Sequence, residues 1–261
     1  MANLPDIDAS TLLNMNEYNP VVDVSTDWGL PYMFFFDYIP GALDKPKQAM
    51  FDDQKAIMRK WTAWELALVE RQVDLALAAG KLPSDLSFKS TIERVQFRTK
   101  VINVLRSTAE PWLRCVKDTP ESETMIVKTV DVLKTIRATL QKRYSIVSKN
   151  YVACLTTVSQ IIAEHPGLNN TFYHTQDFVL LPDGKSEDEQ VAKGRVLALF
   201  YNVSPEALDH ENSKIEFRYF DKYYEFDQQK WAEFARTIPV RLIERGSLIR
   251  VVQALVVQED L

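Results

Sequence analysis

The residues of this 261-residue chain best suited to chemistry are three histidines, two cysteines and a few paired acids. His174 and Asp177 form an HxxD pair, and with His165 they mark where a metal or acid–base site would have to be assembled. Read singly, His165 is a helix C-terminal residue favoured by the helix dipole. Cys115 and Cys154 lie 39 positions apart with no CxxC or histidine spacing, which reads as two reduced core residues. Asp52-Asp53 and Glu187-Asp188-Glu189 are acids of the kind that complement a helix start or solvate a loop. There is no P-loop, GxGxxG, HExxH, GxSxG or EF-hand pattern, and 7 glycines leave no glycine-rich phosphate cradle. The expectation is a protein that is not an enzyme, with no catalytic residue, no cofactor and no metal.

Charge is segregated along the chain. Residues 1–53 carry 2 basic and 9 acidic side chains, residues 54–165 carry 18 and 11, and residues 166–261 carry 11 and 16. An acidic start beside a basic middle suits self-association or a basic-surfaced partner. Lys134, Lys142, Arg143 and Lys149 form the nucleic-acid alternative, a basic ridge able to track phosphates. Aromatic side chains for base stacking are missing from its polar side, since Tyr144 and Tyr151 fall on the apolar one. An overall pI near 5.4 also argues against a dedicated nucleic-acid coat.

Three segments must position these groups. Residues 1–46 form an extended arm interrupted by Pro5, Pro20, Pro31, Pro40 and Pro46, each of which removes a donor and biases its predecessor away from helix. Its aromatics, Trp28, Tyr32, Phe34, Phe35, Phe36 and Tyr38, must be buried on the chain's own body or on a neighbour, and are the expected protein interface.

Residues 47–166 read as a helical domain. Asp44, Pro46 and Gly80 bound a first helix whose apolar stripe includes Trp61, Trp64 and Leu68. Ser84 or Ser87 caps a second helix, which Pro111 ends or kinks. Thr119-Pro120-Glu121 and His165-Pro166-Gly167 bracket a third. Positions 126, 130, 133, 137, 140, 144, 147, 151, 154, 158 and 161 are all apolar or aromatic except Arg137, at the four-three spacing of a coiled-coil seam. A helix of that length would run roughly 65 Å.

Residues 167–261 switch to strand signals. Phe178–Leu181, Arg195–Val203 and Ile215–Phe226 read as strands, with an irregularity at Asp221, and Asp227 caps a short helix carrying Trp231 and Phe234. Val240–Glu244 and Leu248–Val257 flank a turn at Arg245-Gly246-Ser247. The fold class expected is α+β: an arm, a helical bundle with one long coiled-coil-like helix, then a mainly antiparallel sheet with a short helix.

The function expected is a non-enzymatic structural or assembly subunit of a large symmetric complex, with a virion connector or capsid-associated protein as the type; the alternatives are a nucleic-acid-associated protein using the basic helical face, or an enzyme of unrecognised type. Its partners would be copies of itself or other subunits, held by arm exchange and helix packing. With no apolar run long enough to cross a membrane and no secretory signal, the expected location is intracellular, or the virion.

Overall fold

The computed structural model describes residues 4–7, 12, 24–29, 32–39, 43–144, 149–165, 170–180, 193–238 and 256–260. Its architecture is α+β, built on a sheet of six strands in the order β2-β5-β4-β3-β1-β6. The strands are β1 (Met33–Ile39), β2 (Leu113–Lys128), β3 (Thr171–Leu180), β4 (Lys193–Ala207), β5 (Asn212–Phe226) and β6 (Val256–Asp260). The four from β2 to β3 are antiparallel, whereas β1 lies parallel to both β3 and β6.

Five α-helices stand among the described residues: α1 (Lys45–Ala78), α2 (Phe88–Val104), α3 (Val132–Arg143), α4 (Lys149–Glu164) and α5 (Gln228–Ala235). Successive strand residues face opposite ways, and this alternation sorts the helices into two layers. Gly194 and Phe226, directly opposed on β4 and β5, meet Met58 and Trp61 of α1. Tyr201 and Tyr219, also opposed but of the other parity, meet Tyr144 at the end of α3.

The first helix follows its sequence signals closely. The Asp44 carboxylate accepts from the Lys47 amide at 2.9 Å, and Pro46 occupies the first turn. At the other end Gly80 takes φ 64°, and the amides of Gly80 and Lys81 donate to the carbonyls of Leu77 and Ala76. That left-handed Schellman stop is one a side chain would strain. Residues 61–69 are buried all round, so α1 is the central pillar rather than a surface helix with one apolar stripe. At 34 residues it spans roughly 50 Å. Gly194 allows its close approach to the sheet, since a Cβ there would sit 2.6 Å from Met58 Sδ.

The long seam helix is replaced by four elements. Residues 113–128 are strand, Thr129–Asp131 a 3₁₀ turn, and α3 and α4 follow, with residues 145–148 outside the described set. Pro120 sits within the strand, where it needs no helical partner, and Thr119, Thr124, Ile126 and Val127 are β-branched. A helix over 121–131 would have had no face to bury: Ile126 is 69% and Val130 88% exposed. The later seam positions do pack inward, with Leu140, Tyr144, Cys154, Val158 and Ile161 all in the core. The seam pattern thus belongs to two successive helices, not to one.

Helix α2 is capped by Ser87, which accepts from the Ser90 amide at 3.3 Å, and it passes into a π-type turn over Leu105–Ala109 before Pro111. Asp227 caps α5 through the Lys230 amide at 3.0 Å. Trp231 and Phe234 then join Trp64 and Trp112 in one aromatic cluster. The expected irregularity at Asp221 is visible as a gap in the β4–β5 ladder between Ala198/Lys222 and Tyr201/Tyr219. The hairpin expected around Gly246 lies outside the described residues.

Candidate functional site

Two of the arm's aromatics are committed to the chain's own core. Tyr32 is fully buried and stacks on Phe172 with centroids 4.5 Å apart, and its carbonyl accepts from the Tyr173 amide, leading into the β1–β3 ladder. Trp28 lies beneath the Arg98 guanidinium at 5.0 Å. These two are therefore internal packing residues, not anchors on a neighbour. Phe34, Phe35, Phe36 and Tyr38 lie on β1, with their side chains outside the described set.

What holds this segment down is ionic. Arg94 grips Asp27 with Nε and Nη2, both at 2.8 Å, and Arg98 adds Nη1 at 2.7 Å while holding Glu70 through Nε and Nη2. Arg94, Arg98 and Asp27 are essentially inaccessible to water. Asp74 belongs to the same cluster. Burial first, then repulsion from Glu70, pushes its carboxyl up to about 6 against the pull of Arg98.

A second buried cluster joins helix to sheet. Arg106, turned inward by the π-type turn, clasps Glu65 at 2.6 and 2.7 Å, donates to Thr175 Oγ1 at 3.3 Å, and lies over Trp61. Trp61 Nε1 donates to Glu110 at 3.0 Å. Burial, then the neighbouring Glu65 carboxylate, raises the Glu110 carboxyl well above the usual range. Two carboxyls beside an arginine resemble acid–base machinery, yet Glu65, Arg106 and Glu110 are all buried in the core. They tie α1 and α2 to β3.

The histidines do not converge. His165 stacks on Phe88 at 4.2 Å, His174 is fully buried against Tyr201 and Phe172, and His210 is exposed in the β4–β5 turn. Among the described residues no group of His, Cys, Asp or Glu is arranged to hold a metal ion. Cys115 is exposed; Cys154 is buried, and burial pushes its thiol up to about 12.

The basic ridge is also divided. Lys134 and Lys142 are exposed on α3, whereas Lys149 begins α4, with its side chain outside the described set. Arg143 turns to the sheet, pairing with Glu121 at 2.8 Å and Asp221 at 3.0 Å, with its guanidinium 3.8 Å from the Tyr219 ring centre. It is a structural clamp, not a free phosphate contact.

One element is left open. Among the described residues strand β2 ends the sheet and pairs with β5; most of its 16 residues are exposed, while Met125 and Val127 pack partly against the core. A bulge between Cys115 and Lys117 and the proline at 120 break up its first half. Its second half runs Thr124-Met125-Ile126-Val127 without such protection. The Thr129 amide donates to Glu211 O and the Leu208 amide to Asn212 O, which brings Ile126, Val130 and Leu208 to one tip of the sheet; they are 69%, 88% and 50% exposed. This edge was missed in the sequence because Thr119-Pro120-Glu121 has the form of a helix start. The contrary signal was the cluster of β-branched residues with no apolar period of its own.

No family model matches the chain, and no curated protein matches it. Among solved structures it is similar to one described as the structure of the Evf virulence factor, at 10% identity over 96% of this chain and 94% of that one, with a TM-score of 0.46. It also matches a delta-endotoxin at 12% identity, over 85% of this chain and 90% of that one, with a TM-score of 0.29. At these values neither likeness assigns a fold or a function to this chain. No helix among the described residues is long and apolar enough to cross a membrane.

Proposed function

We propose that the protein is a non-enzymatic assembly subunit whose β2 edge pairs with a second copy of the chain. The observation that carries this reading is the edge itself: among the described residues, a long strand with an uncovered side and an apolar tip. Unpaired strand edges are templates for another strand, and soluble proteins normally shorten, cover or charge them. Here the protection stops at Pro120. Strand β2 carries Arg114, Lys117 and Lys128 against Asp118, Glu121 and Glu123, so two copies meet without net repulsion. A virion connector or capsid-associated layer is the setting this reading keeps, resting now on sheet-edge pairing instead of arm exchange and a long helix.

The test is to place a charge on the open edge. Lysine at exposed edge positions discourages pairing without disturbing a core. Ile126→Lys should leave the fold and its unfolding midpoint unchanged and lower the association constant at least tenfold, read by sedimentation equilibrium. Equal association by the variant would exclude the edge.

A further inference from the structure

We infer that a cleft between α2 and the sheet is a binding site for a small aromatic anion, such as an aryl carboxylate, sulfonate or phosphate ester. The cleft has a volume of about 410 Å³, within the range of small-ligand sites. It lies on the α1–α2 face, and Lys222 in its wall is the ladder partner of Asp118 on β2.

Its chemistry is consistent from wall to wall. One wall is a polar face of α2, with Gln96, Lys100, Asn103 and Ser107 following one another at helical spacing. The opposite wall is Phe200 of β4 and Lys222 of β5. Among the described residues no Asp or Glu lines the cleft itself, and its two ammonium groups pair with acids that lie outside the lining. Lys100 donates to the carbonyls of Leu4 and Pro5, which are neutral, and its nearest carboxylate is that of the fully exposed Asp6 at 3.6 Å. Lys222 meets Asp118 at 3.4 Å, and that carboxylate is half exposed. Both partners are exposed surface carboxylates, and such pairs are weak enough for an anion entering the cleft to compete with them.

The aromatic part of the ligand follows from Phe200. Its ring is half-buried and packs on Phe220 at 5.5 Å, which is itself 37% exposed. A flat ring entering beside Phe200 gains offset stacking, and the side-chain amide of Asn103 in the lining can orient it.

The test uses 8-anilinonaphthalene-1-sulfonate as the aromatic anion, titrated by fluorescence and calorimetry against the full chain. The site predicts saturable binding of one equivalent, weakened about tenfold or more in Lys222→Ala and in Phe200→Ala, because each removes a direct contact. Lys222→Arg should restore it. Ile126→Lys should leave it unchanged, which separates this cleft from the apolar tip. Non-saturating binding, or affinity equal in Lys222→Ala, Phe200→Ala and the parent chain with unaltered circular dichroism, would overturn the assignment.

Discussion

The Arg143 guanidinium lies 3.8 Å from the ring centre of Tyr219 while its nitrogens reach Glu121 on β2 and Asp221 on β5. One side chain at the end of α3 thereby fixes the helix to both of the last two strands. Arg143→Ala should cost about 1–2 kcal/mol, from a partly buried ion pair and a cation–π contact. Lys134→Ala and Lys142→Ala, on exposed positions of the same helix, should stay within about 0.5 kcal/mol. Urea unfolding of the three variants checks this. Equal effects would mean that Arg143 is no clamp.

Asp27 is the acid on which both Arg94 and Arg98 converge. Removing it leaves two guanidinium groups buried beside Glu70 alone, so Asp27→Ala should destabilise by about 3–5 kcal/mol. Cleavage by a protease within residues 1–46 should become faster than in the parent chain. A variant of parental stability would contradict the geometry.

Glu65 and Glu110 should respond differently to the same change. Burial disfavours the charged form of Glu110, and Glu110→Gln keeps its shape and an acceptor for Trp61 Nε1, so it should cost less than about 1 kcal/mol. Glu65→Gln takes the countercharge from the enclosed Arg106 and should cost about 3–5 kcal/mol. Thermal unfolding at pH 7 distinguishes them.

Asp74 gives the pH dependence a sign. Its folded carboxyl titrates at about 6, above the unfolded value of 3.8, so the folded state binds the proton more tightly. The stabilising contribution is complete below the unfolded value and is lost as pH rises through about 6. The parent chain should therefore lose stability relative to Asp74→Asn between about pH 4 and pH 6. Parallel denaturation midpoints for the two proteins across that window would refute it.

Where one residue type performs a local task, the sequence was readable: the caps at Asp44, Ser87 and Asp227, the left-handed Gly80, and the aromatic helix bearing Trp231 and Phe234. The α+β class followed from the change of period. The strand at 113–128 was hidden because its partner, β5, lies about a hundred residues later, and pairing at that distance leaves no periodic trace. The ionic contacts of Asp27 and Arg106 were hidden for the same reason. Charges at these spacings resemble solvated ones until a fold encloses them. The candidate edge was legible only as an absence of buried pattern between Ser122 and Val130.

The most direct test of the central claim is light scattering coupled to size exclusion, comparing the full chain with Ile126→Lys at moderate salt across a range of concentrations. The account predicts a discrete multiple of 30.1 kDa for the parent chain and a shift to the monomer mass for the variant. A parent chain that stays monomeric at every concentration, or an oligomer that Ile126→Lys leaves intact, would contradict it.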